Sequence, residues 1–335
     1  MGNFPIFPFA GCRNDNVTNC RFQKYQRSSP RVQGSVKATP GYFAVTMNNQ
    51  IKAEMTVTNK TALYRFTFPE RPIDSNATLS PLFIVDIDDL PNTKTEGSVT
   101  VTASNGRVSG TGLFEPSFGT GRYRSFFCAD FKGAEIRDLG VYSDSRPVSN
   151  LTLSVARPNE TNPFDPNAPA FPAGAWVQFK QPAEDRTMLV RVGLSFISEA
   201  QACSNAEKEI PDFGFEKVLR VAEEAWREKL NVVEIDDGGA SEDLVTTFWS
   251  GIYRTMISPQ DYTGENPLWK SSEPYYDSFY CIWDSFRSIH PLLTLVDPYS
   301  QTQMIRALLD IYRHTGKLPD CRMSLCKGMS DLSHF

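Results

Sequence analysis

The residues with the clearest chemical potential lie in the tract YYDSFYCIWDSFRSIHPLLTL, residues 275–295. Asp284 and Arg287 stand there among aromatic side chains, and Trp283 directly precedes the aspartate. In a helix, positions i, i+3 and i+4 share a face, so Tyr280, Asp284 and Arg287 would meet. An indole ring beside a carboxylate and a guanidinium suits a sugar, because the ring packs on apolar C–H groups and charged groups strengthen hydrogen bonds to hydroxyls.

The same residues also have a structural interpretation. Asp284 and Arg287 could form an intrahelical ion pair beside a buried Trp283, and residue types alone favour this interpretation. His290, which precedes Pro291, is predicted to be a hydrogen-bonded structural histidine rather than a catalytic one.

Other motifs of the chain predict turns and loops. The glycines of GTGLFEPSFGTG (110–121) have the wrong spacing for a phosphate loop, and no helix follows them. DIDDL (86–90) lacks the glycine and the distal glutamate of a calcium-binding hand. The pair at 236–237, DD, is interpreted as a solvated loop rather than a metal site.

Composition excludes several classes of protein. The formal net charge of −5 provides no basic surface for nucleic acid. No apolar run reaches the roughly 18–20 residues that a membrane-spanning helix needs. The opening MGNFPIFPFAGCRNDN has neither a charged n-region nor a continuous apolar h-region, so it is not a signal peptide. Because it leads directly into an extended Pro- and Phe-rich segment, the chain could be a fragment.

Cysteines and glycosylation sequons bear on the compartment. The seven cysteines include no CxxC pair, which argues against a zinc ribbon or a thioredoxin-like motif. Cys12 with Cys20, and Cys321 with Cys326, are close enough in sequence to pair, although buried free thiols are the favoured interpretation. The N-x-S/T sequons all fall in the first half and favour a secreted or secretory-pathway protein. The candidate glycosylation sites are Asn16, Asn59, Asn76, Asn150 and Asn159.

The hydrophobic period changes near residue 200. Between 43 and 197 apolar residues alternate with polar ones in short runs, and Asn105-Gly106 is a strong hairpin signal. After that the spacing is helical, which predicts four or five helices. The first is capped by Ser198, the second covers 215–226, and the third runs from Ser241 to about Ile257. The fourth covers 278–296, where Pro291 should end or kink it, and the fifth covers 301–314, where Gly316 should stop it. We therefore expect an α+β protein with an antiparallel β-sandwich domain over 1–200 and a helical domain over 201–335.

The tract also carries a family resemblance. CIWDSFRSIHPLLTLVDP (281–298) resembles the aromatic-Trp-Asp-x-x-Arg-x-x-His-Pro-Leu signature of glycoside hydrolase family 92, the calcium-dependent, inverting exo-α-mannosidases. Further blocks are similar in the same order. They are TPGYFAVTMNNQIKAEMTVTNKTALYRFTFP (39–69), VRVGLSFISEAQACSNAEKEIP (190–211), FWSGIYRTMISPQ (248–260) and LPDCRMSLCKG (318–328). The resemblance implies a β-sandwich joined to an (α/α)6 toroid, of which only the first helices would be present.

The resemblance also implies a reaction. The substrate would be a mannose-containing oligosaccharide or N-glycan, with α-1,2 linkages, and calcium would be the cofactor. A protonated carboxyl group would donate to the leaving oxygen while a carboxylate about 6.5–9.5 Å away activates water. Trp283, Asp284 and Arg287 would bind and orient the terminal mannose, and Tyr253 and Arg254 are further candidates for the same wall.

No catalytic residue is assigned within this sequence. The general acid, the general base and most calcium ligands of the family are expected beyond residue 335, so we expect an incomplete and inactive fragment whose apolar helix faces stay exposed. Two alternatives remain open. One is a non-catalytic carbohydrate-binding β-sandwich protein with a helical appendage, and the other is an unrelated secreted β-rich protein in which Asp284 and Arg287 form a buried ion pair.

Overall fold

The residues described by a computed structural model of the chain are 3–88, 90, 92–116, 120–157, 172–183, 185–236 and 238–327. Two compact units divide the chain. The β-rich unit comprises Met1–Phe114 and Arg124–Glu223, and the helical unit comprises Glu115–Tyr123 and Glu224–Phe335. Of the motifs considered above, residues 1–2, 89, 117–119, Asn159, 237 and 328 lie outside the described residues.

The strands of the β-rich unit build two antiparallel sheets. In chain order they are β1 (Ile6–Phe9), β2 (Lys37–Thr39), β3 (Tyr42–Thr46), β4 (Lys52–Val57), β5 (Thr61–Thr67), β6 (Leu82–Asp86), β7 (Lys94–Val101), β8 (Val108–Phe114), β9 (Tyr123–Lys132), β10 (Ile136–Ser143), β11 (Arg146–Val148), β12 (Thr152–Ala156), β13 (Ala173–Phe179) and β14 (Thr187–Ser195). In the described part of the chain the sheet orders are β1-β6-β13-β10-β11 and β12-β7-β8-β9-β14-β5-β4-β3-β2.

Aromatic rings fill the space between the two sheets. The ring centroid of Phe83 on β6 lies 5.2 Å from that of Phe66 on β5 and 5.4 Å from that of Phe131 on β9. Strands β6 and β13, which are mostly apolar, are buried along their whole length. The predicted antiparallel β-sandwich is confirmed.

Two glycines explain local features of the sandwich. Gly106, in the turn between β7 and β8, has a φ of +68°, and a Cβ there would lie 3.0 Å from Ile136, so the predicted hairpin needs glycine at this point. A Cβ on Gly193 of β14 would lie 2.1 Å from the carbonyl oxygen of Ala202. Because glycine has no Cβ, the first helix after the sheets can pack directly on β14.

The helices are, in chain order, α1 (Lys24–Arg27), α2 (Glu199–Glu209), α3 (Phe215–Leu230), α4 (Glu242–Thr255), α5 (Ile282–Ser285), α6 (Ile289–Val296) and α7 (Pro298–Thr315). Short strands accompany them, namely β15 (Gln260–Asp261), β16 (Tyr276–Asp277), β17 (Tyr280–Cys281), β18 (Cys321–Met323) and β19 (Cys326–Lys327). Among the described helices, none has the combination of length and apolar composition that crossing a bilayer requires.

The predicted helix ends are confirmed where a cap was recognised. Ser198 accepts a hydrogen bond from the backbone N–H of Gln201 at 3.0 Å, and Ser241 caps α4 in the same way. Helix α7 begins at Pro298, a few residues earlier than predicted, because the Asp297 side chain caps it and proline fits a first helical turn. It ends at Gly316, which has a φ of +76°.

The change from strands to helices falls between Ser195 and Glu199. Helix α2 nevertheless belongs to the β-rich unit, since the Cys128–Cys203 disulfide joins it to β9 and the compact units divide only within α3. The domain limits of 1–200 and 201–335 stay a prediction.

The expectation of free thiols is wrong for most of the cysteines. Three disulfides form, Cys12–Cys20, Cys128–Cys203 and Cys281–Cys321, and Cys326 is free and buried. The suggested pairing of Cys321 with Cys326 is also wrong. Cys281 and Cys321 are direct partners across the β17–β18 ladder, so their side chains meet although 40 residues separate them.

The described sequon asparagines, Asn16, Asn59, Asn76 and Asn150, are all exposed. Exposure is what an acceptor asparagine needs, and glycosylation stays a prediction.

One buried carboxylate links β3, β4, β5 and α3 within the β-rich unit. Glu54 is 4% exposed and accepts hydrogen bonds from Tyr42 and from both Nε and Nη2 of Arg65. Arg65 also contacts Glu216 of α3 at 2.5 Å. Burial raises the pKa of Glu54, but the hydrogen bonds from Arg65, Tyr42 and Lys52 outweigh it and bring the pKa to about 2.

Replacing Glu54 by glutamine should therefore change the pH dependence of stability. The native pKa lies below the unfolded value of about 4.3, so the carboxylate stabilises the fold above that pH and the contribution is lost as the pH falls toward 2. We expect Glu54→Gln to be less stable than the parent at pH 7, with the difference narrowing from about pH 4.3 downward. Denaturant unfolding at stepped pH measures it. Glu70→Gln, at an exposed position, is the control. A loss of stability in Glu54→Gln that does not depend on pH would contradict the low pKa of Glu54.

Candidate functional site

The aromatic tract does not form the single helix predicted over 278–296. It divides into strand β17, the one-turn helix α5 and helix α6. Strand β17 forms because Tyr280 and Cys281 pair with β18 and the disulfide to Cys321 holds the pairing. Ser288, with φ −139° and ψ −72°, separates α5 from α6. The helical spacing of the tract therefore did not predict its structure, because β17 pairs with β18, a segment 40 residues away that no local pattern indicates.

Pro291 neither ends nor kinks a helix, contrary to the prediction. It lies in the first turn of α6, where the backbone N–H has no intrahelical partner and proline costs little. His290 beside it hydrogen-bonds through Nδ1 to Oε1 of Gln301 at 3.0 Å, which fits the structural role predicted for it.

Trp283, Asp284 and Arg287 do come together, as one contiguous exposed surface that we call the wall. Nε1 of Trp283 donates a hydrogen bond to Oδ2 of Asp284 at 2.8 Å, and Nη2 of Arg287 lies 3.5 Å from Oδ1 of the same carboxylate. The indole is 46% exposed, and the side chains of Asp284 and Arg287 are 70% and 68% exposed. The Asp284–Arg287 ion pair of the structural interpretation forms, but its predicted burial is wrong, because the Trp283 ring and both charged side chains are exposed.

Three further residues were predicted to belong to this site, namely Tyr280, Tyr253 and Arg254. Tyr280 does not share a helix face with Asp284, because it belongs to β17 and has a φ of +65°. Tyr253 of α4 packs against Trp226, with ring centroids 4.7 Å apart, and Arg254 is exposed. No hydrogen bond, ion pair or ring contact between described residues joins Tyr253 or Arg254 to the wall.

The buried charge of the tract is Asp277, which is completely inaccessible. Nε of Arg322 donates to its Oδ2 at 2.7 Å, and the hydroxyl of Tyr275 donates to the same oxygen at 3.1 Å. Nη2 of Arg322 also donates to the Tyr275 hydroxyl at 2.9 Å. Burial raises the pKa of Tyr275, as does the nearby Asp277 carboxylate, so the phenol stays a donor. The three residues form a closed buried network.

The second oxygen of Asp277 holds strained backbone in place. It accepts hydrogen bonds from the backbone N–H groups of Ser278 at 2.6 Å and Leu325 at 3.1 Å. Four non-glycine residues here have positive φ, namely Ser278, Tyr280, Ser324 and Leu325. Left-handed backbone at such residues persists only where the surroundings impose it, and it is frequent at functional sites. Asp277 thus fixes the turn that leads into the wall.

Two further groups complete the electrostatics of the network. Burial lowers the pKa of Arg322, but the charges of and hydrogen bonds to Asp277 and Tyr275 together outweigh this effect, and the net shift is upward. Burial raises the pKa of the Cys326 thiol to about 11, so this thiol stays protonated. Within the part of the chain that the structure describes, no group of three or more His, Cys, Asp or Glu side chains could hold a metal ion.

Sequence reasoning missed Arg322 as the partner of Asp277. One signal was available, because Arg322 follows Cys321 in CRMSLC, a short apolar segment where a lone arginine needs a buried acid. The position of that acid, 45 residues earlier, could not be read from local spacing.

The network predicts a large difference between two aspartates of the same tract. Asp277→Asn leaves the Arg322 guanidinium buried without a carboxylate, so the free energy of unfolding should fall by about 3–5 kcal/mol. The control Asp284→Asn removes only an exposed pair and should change it by about 1 kcal/mol or less. Denaturant titration of both proteins measures this, and equal losses would contradict the assigned role of Asp277.

Comparison with known proteins gives a consistent result. Residues 1–195 match the glycosyl hydrolase family 92 N-terminal domain, and residues 201–331 match the catalytic domain of that family. An uncharacterized secreted glycosidase of Arthroderma benhamiae is 46% identical over 334 residues, which make up 98% of this chain and 39% of that protein.

Two solved structures from Bacteroides thetaiotaomicron share the fold. A family GH92 inverting mannosidase aligns with a TM-score of 0.77 at 23% identity, over 97% of this chain and 40% of its own length. A family GH92 α-mannosidase aligns with a TM-score of 0.79 at 18% identity, over 98% of this chain and 43% of its own. The chain thus spans about two fifths of these relatives. Because the two family matches follow one another along almost the whole sequence, the chain belongs to glycoside hydrolase family 92.

Proposed function

We propose that this chain supplies the N-terminal part of an exo-acting α-mannosidase that releases mannose from mannosides or N-glycans with inversion. Terminal α-1,2-linked mannose is the proposed substrate. The observation that carries the proposal is the wall, in which the exposed Trp283 ring lies beside the solvent-accessible charges of Asp284 and Arg287. These are groups that can pack on a pyranose and hydrogen-bond its hydroxyls.

In this proposal the wall binds and orients. The Asp284 carboxylate is fixed by hydrogen bonding to Trp283, and the nearby Arg287 limits the directions from which a hydroxyl can approach. Tyr253 and Arg254 are kept as proposed members of the same subsite on the family resemblance alone, since no contact between described residues joins them to the wall. Inversion needs an acid and a base that stand about 6.5–9.5 Å apart with a water between them. We assign both to the polypeptide that the longer relatives have beyond the matched region.

Exposed apolar helix faces support this assignment over a self-contained carbohydrate-binding protein. Helix α4 has a cap and an apolar stripe, yet none of its residues is buried. Large apolar side chains of α4, α6 and α7 are also exposed, and they are Leu244, Phe248, Leu295, Ile305, Leu309 and Tyr312. Faces of this kind suit further helices, as in the proposed (α/α)6 toroid.

Calcium is the proposed cofactor of the complete enzyme. It would supply oxygen coordination to sugar hydroxyls and to the attacking water. The described residues of this chain do not form a site that fits it, and we derive no step through the ion.

A secretory location completes the proposal. Three disulfides require an oxidising compartment, and the described sequon asparagines are exposed. The similar Arthroderma benhamiae protein is described as secreted.

The chain alone should not release mannose. Incubated with α-1,2-mannobiose, with calcium chloride or with EDTA, it should show no turnover above the blank, because the acid and base are not provided. A full-length family GH92 α-mannosidase, such as that of Bacteroides thetaiotaomicron, serves as the positive control once it is shown to cleave the same mannobiose. Calcium-dependent release by this chain would contradict the proposed division of the site.

The role of the wall is testable in a full-length relative. Asparagine in place of the aspartate that aligns with Asp284 should lower kcat/KM about 10- to 100-fold, the value of a hydrogen bond to a charged group. If the aspartate acts only in binding the substrate, the thermal midpoint should stay unchanged. Unchanged kcat/KM with a lower midpoint would instead support a purely structural ion pair.

A further inference from the structure

A pocket in the β-rich unit has charged and polar side chains along part of its otherwise apolar lining. It has a volume of about 160 Å³, and its polar lining comes from Gln23, Lys24, Tyr25, Arg27, Asp86 and Asp88. This is smaller than the roughly 300–1,000 Å³ of pockets for drug-sized ligands, and larger than the about 30 Å³ that one water occupies. The pocket therefore fits one small molecule.

Two ion pairs form its charged lining. Nη2 of Arg27 lies 2.7 Å from Oδ2 of Asp86, and both side chains are almost fully buried. The hydroxyl of Tyr142 donates to the other oxygen of Asp86. Nζ of Lys24 lies 2.6 Å from Oδ2 of Asp88. The lining thus balances two cations against two carboxylates.

The lining has both buried donor atoms and a buried acceptor atom without a hydrogen-bond partner among the described residues. Arg27 is 5% exposed, yet within the described residues no group accepts a hydrogen bond from its Nε or Nη1. The buried Oε1 of Gln23 likewise has no donor among them, since the amide nitrogen is the atom engaged, at 2.7 Å from Asp144. Buried polar groups of this kind are normally satisfied, by protein, water or a ligand. A guest that both accepts and donates would satisfy both residues.

The charge balance favours a neutral guest. Two cations face two carboxylates in the lining, and burial shifts the pKa of the nearby Lys94 downward and that of Asp86 upward. Tyr25 lines the pocket with 76% of its surface exposed, so its ring is free to pack on a ligand. An exposed aromatic ring beside paired donors and acceptors is the arrangement that hydroxylated rings bind.

We propose that this pocket binds a single neutral monosaccharide, with the Tyr25 ring on its apolar face and Arg27 and Gln23 on its hydroxyls. The site is independent of the wall, whose residues all belong to the helical unit. It would make the β-rich unit a saccharide-holding module in its own right.

Calorimetric titration of the full chain with methyl α-D-mannopyranoside tests the proposal, in a Trp283→Ala, Asp284→Ala background that removes the ring and the carboxylate of the wall. Saturable binding in the millimolar range is expected. Tyr25→Ala should weaken it about fivefold, the usual value of one aromatic contact. The control is Tyr299→Ala, an equally exposed tyrosine of the helical unit, which should leave the affinity unchanged.

Arg27→Lys provides a second test, because lysine can keep the charge beside Asp86 but lacks the Nε and Nη1 donors. We expect binding to be lost while the thermal midpoint shows that the chain is folded. Sodium acetate and glycerol complete the series. Binding of acetate alone, an equal response of Tyr25→Ala and Tyr299→Ala, or no saturable binding of the mannoside would each overturn the proposal.

Discussion

The Asp277 carboxylate is the constraint on which the helical unit depends. A buried carboxyl group with no solvent contact is stable only if its oxygens are matched by hydrogen-bond donors, and Asp277 is matched by Arg322, Tyr275 and two backbone N–H groups. Those partners come from segments far apart in the chain, so satisfying one carboxylate fixes the backbone of both. The wall begins a few residues further along the segment that is fixed in this way.

This arrangement separates the charges of one aromatic tract into two classes. Asp277 is buried and organises the backbone, whereas Asp284 and Arg287 are exposed and remain able to meet a ligand. A surface presented for binding must keep its geometry without being buried itself. A rigid buried network directly upstream, reinforced by the Cys281–Cys321 disulfide, provides that geometry.

How much the sequence predicts depends on the range of the interactions involved. Period-two strands, the Ser198 and Ser241 caps and the Gly316 stop are local signals, and the structure contains each of them. The tract around Trp283 failed as a helix because its fold depends on Cys321 and Arg322, and no local pattern carries that information. The pocket was missed for the same reason, since Arg27 meets Asp86 from 59 residues away. The wall was found because its members are neighbours in sequence.

The Cys128–Cys203 disulfide has a consequence for how the two family domains can be separated. The first matched domain ends at residue 195 and the second begins at residue 201, yet the bridge spans that junction and holds α2 on β9. A protease that cuts the connecting residues would therefore release no fragment until the protein is reduced. A helical domain expressed from residue 201 would expose an unpaired Cys203 and the face of α2 that packs on β14. The boundary between the two family domains in the sequence and the boundary between the two compact units therefore fall at different residues.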